Sequence, residues 1–172
     1  MTELIAPASR LELFAYLDNL EIKCRTVEHP AVFTVEESEK LDREMPGGHT
    51  KNLFLKDAKG RLFLVIAEAR ASIDMKSLHK VLDCARLSFG KPELLLQVLG
   101  ISPGSVTAFS VINDRERQVT AVIDKTLMSF ETLNCHPLVN TATTNIDRDD
   151  LLKFMRATGH VPRIVALPAV PA

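Results

Sequence analysis

With 172 residues the chain is long enough to bury a single sizeable core, and no linker or repeat divides it, so residues 1–172 are expected to form one domain. Apolar residues at 46% and charged residues at 25% exclude a disordered chain. A net charge of −1 argues against a general DNA coater, which needs a basic excess, and no apolar run reaches membrane-spanning length.

Glu3, Arg10, Glu12 and Asp18 interrupt any targeting segment at the amino terminus. Cys24, Cys84 and Cys135 lie far apart without CxxC spacing, which fits reduced thiols in a cytoplasm. Cys135, beside His136, is readable as a nucleophile or ligand, or as a small buried hydrophobe. No histidine has zinc-ligand spacing with a cysteine, so no metal or cofactor is expected.

In chain order, Ser9-Arg10-Leu11-Glu12 has capping-box form and opens a helix from about Arg10 to Leu20. Lys23 to Glu28 reads as a strand ending at His29-Pro30. Thr34-Val35-Glu36-Glu37 is a second capping box, whose short helix is closed by Met45-Pro46-Gly47-Gly48. The runs Thr50 to Leu55 and Arg61 to Ala67, separated by Asp57-Ala58-Lys59-Gly60, predict a hairpin. Asp74 to Leu82 reads as a helix; another begins at Pro92 and ends on Gly100. Val106 to Ile112 and Val119 to Asp124 predict two more strands with a turn between them. Thr141 to Ile146 is β-prone, and Asp147 caps a last helix stopping near Gly159. Val161 to Ala172 is an edge strand or a loose tail. Hairpins mixed with scattered helices predict an α+β domain.

GxSxG, HExxH, Walker and GxGxxG motifs are all absent. Three segments carry the remaining chemistry. In Gly47 to Leu55, alternation puts Lys51, Leu53 and Leu55 on one strand face, where the lysine either presents a fixed charge or snorkels to solvent. In Gly100 to Ala108, glycines and a proline before a strand can turn backbone N–H groups outward, as an oxyanion hole requires, or form a plain loop. In Asn134 to Thr144, His136 before Pro137 is held extended, as a cleft hydrogen-bond partner or a structural histidine.

Taken in order, these pieces resemble the YbaK/prolyl-tRNA synthetase editing-domain family, in particular its free-standing branch that deacylates alanyl-tRNA carrying the proline anticodon. The matching stretches are Glu28 to Glu37, His49 to Leu55, Leu87-Ser88-Phe89, Leu99 to Thr107 and His136 to Thr144. The resemblance implies a mixed, strongly curved, partly barrel-like sheet with flanking helices. It also implies an essential lysine, matched by Lys51, and a GxxxP loop, matched by Gly104 to Ala108 with alanine in place of the proline.

The expected activity is trans-editing hydrolysis of the ester of mischarged tRNA, with the aminoacylated 3′ end as partner. Lys51 would hold a phosphate or the acyl carbonyl, and amides of Gly104, Ser105, Val106 and Thr107 would stabilise the oxyanion. The substrate's own 2′-hydroxyl would orient or activate the water, as in the resembled family. Val35, Asn52, Leu53 and His136 would contact the aminoacyl group. Lys76, His79 and Lys80, at i, i+3 and i+4, would contact tRNA, with Arg86 and Lys91 extending the patch. A synthetase pocket built for proline rejects alanine poorly, because missing methylenes are worth only about 1–3 kcal/mol, so a second, smaller hydrolytic pocket has a purpose. The alternative is an inactive tRNA-binding module of the same fold.

Overall fold

The computed structural model describes residues 6–31 and 34–171. Val32 and Phe33, part of the first matching stretch, lie outside them. Among the described residues the protein is a mixed sheet of eight strands with helices packed around it.

Helix α1 (Arg10–Asn19) starts as its capping box dictates: the Ser9 hydroxyl accepts from the Glu12 N–H, and the Glu12 carboxylate accepts from the Ser9 N–H. Strand β1 (Cys24–Glu28) follows, then α2 (Val35–Glu44). The Thr34 hydroxyl caps α2 by accepting from the Glu37 N–H at 3.1 Å. No residue of α2 is buried, so this helix is laid on the body rather than sunk into it.

Strands β2 (Gly48–Asp57) and β3 (Leu62–Glu68) form the expected hairpin. The Asp57 carboxylate holds the turn by accepting from Lys59 and Arg61 N–H, and it also accepts from the Ala85 N–H. The helix expected from Asp74 contracts to α3 (Leu78–Leu82), because an Asp74–Ser77 turn precedes it. Short strand β4 (Leu87–Phe89) then pairs with β2, and α4 (Pro92–Leu99) ends on Gly100, whose φ of 67° forms the left-handed cap.

The expected strand from Val106 to Ile112 is instead a 3-10 segment, Ala108–Asn113. Its two ends account for this. The Thr107 carbonyl accepts from Ser110 N–H and hydroxyl, while Asp114 turns the chain out by accepting from Gln118 and Val119 N–H. Strands β5 (Val119–Asp124), β6 (Thr132–Cys135) and β7 (Ala142–Asp147), helix α5 (Arg148–Ala157) and strand β8 (Arg163–Val165) complete the order. Asp147 occupies the N-cap of α5, although its side chain makes no capping bond. Within the tail only Arg163–Val165 is thus an edge strand, with Ala169 making an isolated bridge to Ile73, and Ala172 lies outside the described residues.

Across the sheet the order is β1-β7-β6-β2-β3-β5-β8, with β4 beside the far end of β2. Strand β3 is buried on both faces, as its unbroken apolar run implies. Leu62, Leu64 and Ile66 face the larger core with Phe54, Phe109 and Phe154. Phe63 and Val65 face a smaller core with Leu53, Leu55, Leu78 and Leu82. Each fully buried side chain of this size contributes about 1.5–3 kcal/mol. The join between β2 and β6 is short, only Gly48↔Leu133 and His49↔Asn134. Beyond it the two strands part.

Candidate functional site

A hollow of about 520 Å³ opens at this parting, within the range of small-molecule sites. The floor is Thr50 of β2 with Asn134 and Cys135 of β6; His136 and Thr143 close one side. Glu68, Ala69 and Arg70 close another, and Ser38, Leu41 and Asp42 of α2 lie over it. The Thr50 hydroxyl continues the strand pairing where the backbones separate, donating to the Asn134 carbonyl at 2.7 Å.

Asn134, 2% exposed, shapes the entry turn. Its amide nitrogen reaches the Met45, Pro46 and Gly48 carbonyls, each at 3.4 Å, and its oxygen accepts from Asn145 at 2.9 Å. Gly47 in that turn has φ of 114°, and a Cβ there would lie 2.5 Å from the Thr132 carbonyl oxygen, so only glycine fits. Helix α2 is tied down at its end by polar contacts. Asp42 lies 3.4 Å from His49 and 3.6 Å from Arg70, and Arg25 donates to the Glu44 carbonyl at 2.8 Å.

His136 is placed by the turn that follows it. Leu138 N–H donates to the His136 carbonyl, and buried Leu138 adopts a left-handed φ of 66°. A leucine there costs about 1–2 kcal/mol, so the surrounding packing imposes the shape. The His136 Nδ1 lies 2.9 Å from the Ala142 carbonyl oxygen. A carbonyl only accepts, so Nδ1 carries the proton. Burial holds the His136 pKa below the ordinary imidazole value, against the opposing bond to Ala142, and neighbouring His29 adds to the lowering. The His29 and His136 ring centres are 6.0 Å apart, and His29 Nε2 meets the Thr143 hydroxyl at 2.7 Å.

Lys51 is half-buried, and its ammonium donates to the Ala71 carbonyl. Strand alternation puts it on the face of Leu53 and Leu55, whereas Thr50 and Asn52 share the other face with Phe54. Asn52 Oδ1 has no hydrogen-bond partner, alone among buried side-chain nitrogen and oxygen atoms of the described residues. Such an acceptor costs about 1–3 kcal/mol unless a ligand or water completes it.

The segment Gly104 to Thr107 does not line the hollow. Gly104 is exposed, Ser105 and Thr107 are buried, and Val106 packs on the larger core. The loop lies against the other end of the histidine segment, since a Cβ on Gly104 would sit 3.3 Å from Asn140 Nδ2. The lysine ammonium and this loop are therefore not brought together in one cavity. Val35 stands 77% exposed on α2 and Leu53 packs in the smaller core; neither walls the hollow. Leu41 and Phe130 supply its apolar lining. Lys76 precedes α3 in a turn, so it does not share a helical stripe with His79 and Lys80.

Cys135 is buried, with its thiol pKa pushed up to about 12 by burial against a lowering contact from Thr50. It is a core thiol, not a nucleophile. Thr50, Asn134, Asp42 and Arg70 were not singled out from the sequence. Alternation could have flagged Thr50, but the parallel join to β6 links residues 84 and 85 positions apart, which no local pattern signals.

Residues 29–154 match the model of the aminoacyl-tRNA editing domain. The chain belongs to that family. It is 39% identical over 165 residues to the prolyl-tRNA synthetase associated domain-containing protein 1 of Danio rerio, covering 94% of this chain and 90% of the relative. It is 38% identical over 156 residues to the prolyl-tRNA editing protein ProX of Acetoanaerobium sticklandii, covering 90% and 95%. Its fold matches the crystal structure of a proposed trans-editing enzyme for prolyl-tRNA synthetase, with a TM-score of 0.68, 17% identity and coverage of 94% and 99%. The mixed sheet with flanking helices is thus the editing-domain fold. No helix among the described residues is long and apolar enough to cross a membrane.

Proposed function

We propose that this protein is a single-domain, trans-acting aminoacyl-tRNA deacylase whose preferred substrate is alanyl-tRNA carrying the proline anticodon. The observation that carries this reading is the hollow at the parting of β2 and β6. Its walls come from two of the stretches that resemble the editing family, His49–Thr50 and His136 with Thr143. A volume of about 520 Å³ suits the acylated end of a tRNA, with Leu41 and Phe130 as the apolar limit on the acyl side chain.

Asn52 accepts a hydrogen bond from the substrate through its unpartnered Oδ1. Lys51 exchanges the Ala71 carbonyl for a phosphate oxygen of the terminal nucleotide, a stronger, charge-assisted partner. Of its two expected roles, phosphate anchoring suits its strand face better than contact with the acyl carbonyl. The Ser105 N–H already donates to the Ser102 carbonyl at 3.0 Å, so the amides of Gly104, Val106 and Thr107 serve as oxyanion donors, to an acylated end that extends past the hollow toward Asn140. Lys76, His79 and Lys80 meet the acceptor stem, a small patch that gives tRNA affinity a shallow salt dependence.

The test is a deacylation panel over alanyl-, cysteinyl-, seryl- and prolyl-tRNA with wild type, Lys51→Ala and Asn52→Ala. The expected result is fastest release of alanine, with turnover abolished by Lys51→Ala in a folded protein. Unchanged turnover in that variant ends the role of Lys51. One observation favours the second reading, an inactive tRNA-binding module: the lysine and the glycine loop do not converge on the hollow. Such a module would bind alanyl-tRNA and protect its ester.

A further inference from the structure

We infer that Phe89 is a stacking shelf for an unpaired base of the tRNA 3′ strand, one that precedes the acylated nucleotide. It rests on the deacylase reading above only for the identity of that ligand. The starting point is burial. Phe89 is 62% exposed, the only aromatic among the exposed large apolar side chains of the described residues. The fold forgoes the stabilisation that burying such a ring would bring.

The backbone under the ring is held firmly. Phe89 pairs with Leu55 of β2, and the Gly90 N–H donates to the Phe54 carbonyl at 2.9 Å. A Cβ on Gly90 would lie 2.3 Å from the Phe54 ring, so the chain lies this close only because glycine stands there. Pro92 then opens α4 at once. Leu55, beside Phe89, is fully buried in the smaller core with Leu78 and Leu82, which leaves the phenyl ring outside a core already filled.

Register relative to Lys51 points to the ligand. Lys51, Leu53 and Leu55 share one face by alternation, and the Leu55↔Phe89 pair puts the ring on that face. The Gly90 bond carries the pairing one residue past β4. Lys91, still extended at φ −68° and ψ 152°, therefore comes alongside Leu53. Lys51, Lys91 and Phe89 thus stand in a row that leads away from the hollow. The four steps from Lys51 to Leu55 span about 13 Å. A stacked strand rises about 3.4 Å per phosphate, so the row takes up to about four nucleotides. Lysines on phosphates and a ring under a base are the parts of a single-strand site. A lone ring falls far short of the roughly 800 Å² that a stable protein partner covers, but it is a whole platform for one base.

The experiment measures binding, so it reads independently of hydrolysis. The probes are two unacylated RNA hairpins of the acceptor stem, one with its unpaired 3′ nucleotides and one blunt. Each is titrated with wild type, Phe89→Ala, Phe89→Leu and Phe89→Trp. Wild type is expected to bind the overhanging hairpin more tightly than the blunt one. Alanine and leucine are each expected to weaken overhang binding about 5- to 100-fold, the worth of one stacked base, and to leave blunt binding unchanged. Tryptophan is expected to restore it. A 2-aminopurine base in the overhang is expected to lose fluorescence on wild type and Phe89→Trp alone. Because the ring is largely exposed, the variants are expected to melt with wild type. Equal binding of both hairpins by wild type overturns the inference whether or not the variants fold. A folded leucine variant that holds the overhang like wild type overturns it, and so does an equal loss on both hairpins. A wild type that binds neither hairpin removes the tRNA reading itself, whereas overhang binding indifferent to residue 89 removes only the shelf.

Discussion

Replacing Asp114 with asparagine should destabilise the fold by about 3–5 kcal/mol, from one buried donor left unpaired and two hydrogen bonds that lose charge assistance. The Asp114 carboxylate is fully enclosed and accepts three donors: Gln118 N–H at 3.0 Å, Val119 N–H at 2.8 Å and His160 Nε2–H at 2.8 Å. An amide offers one oxygen and one NH₂. If the oxygen takes Val119 and His160, the NH₂ faces the Gln118 N–H, donor against donor, at about 1–3 kcal/mol. The two bonds that survive lose charge assistance, about 1 kcal/mol each. Urea unfolding at pH 7 measures the difference, and a loss below about 1 kcal/mol would refute this reasoning.

The pH dependence carries a second check. Burial raises the Asp114 pKa, but His160 and the two backbone N–H groups outweigh it, and the net direction is down. A folded pKa below the unfolded value of about 3.9 means the carboxylate's contribution is complete above that pH. It is lost as pH falls through the lower folded pKa. The asparagine variant should therefore show a flatter stability profile in this acid window than wild type. Because Asp114 ends the 3-10 segment that Thr107 begins, the same variant should loosen the glycine loop.

Ala108→Pro should be tolerated and stabilise by about 0.4–1 kcal/mol in thermal unfolding, since Thr107 at φ −154°, ψ 158° already has the extended shape that precedes proline; a loss above 1 kcal/mol would mean the ring lacks room. Cys135→Ala should keep its turnover, because a thiol with a pKa of about 12 supplies no thiolate at neutral pH. A tenfold loss of rate in a folded variant would restore the cysteine as a candidate. Gly47→Ala should cost about 1–3 kcal/mol from its φ of 114° and the clash with the Thr132 carbonyl, and a neutral result in urea unfolding would contradict the description of the entry turn.

Local chemistry made much of the fold legible. Ser9 and Glu12 mark the start of α1, Pro92 and Gly100 bracket α4, and Asp57 to Gly60 separates β2 from β3. Val106 to Ile112 misled because a buried 3-10 segment capped by Thr107 and Asp114 has the apolar density of a central strand. Strands β4 and β6 escaped because each is short, and β6 carries Asn134. In the site, His136 was visible through its proline and polar neighbours. The seam between β2 and β6 was not, since it depends on one pairing between distant residues. Val35 and Leu53 were placed at the site by sequence proximity, but a helix lying outside the body and a strand's two-residue alternation turned both away from the hollow.

The most direct measurement is release of labelled alanine from alanyl-tRNA carrying the proline anticodon, with substrate in large excess over purified protein. The account predicts that many equivalents of alanine are freed per protein molecule, with prolyl-tRNA left acylated. An alanyl ester that survives as long as in buffer alone, or longer, would contradict it.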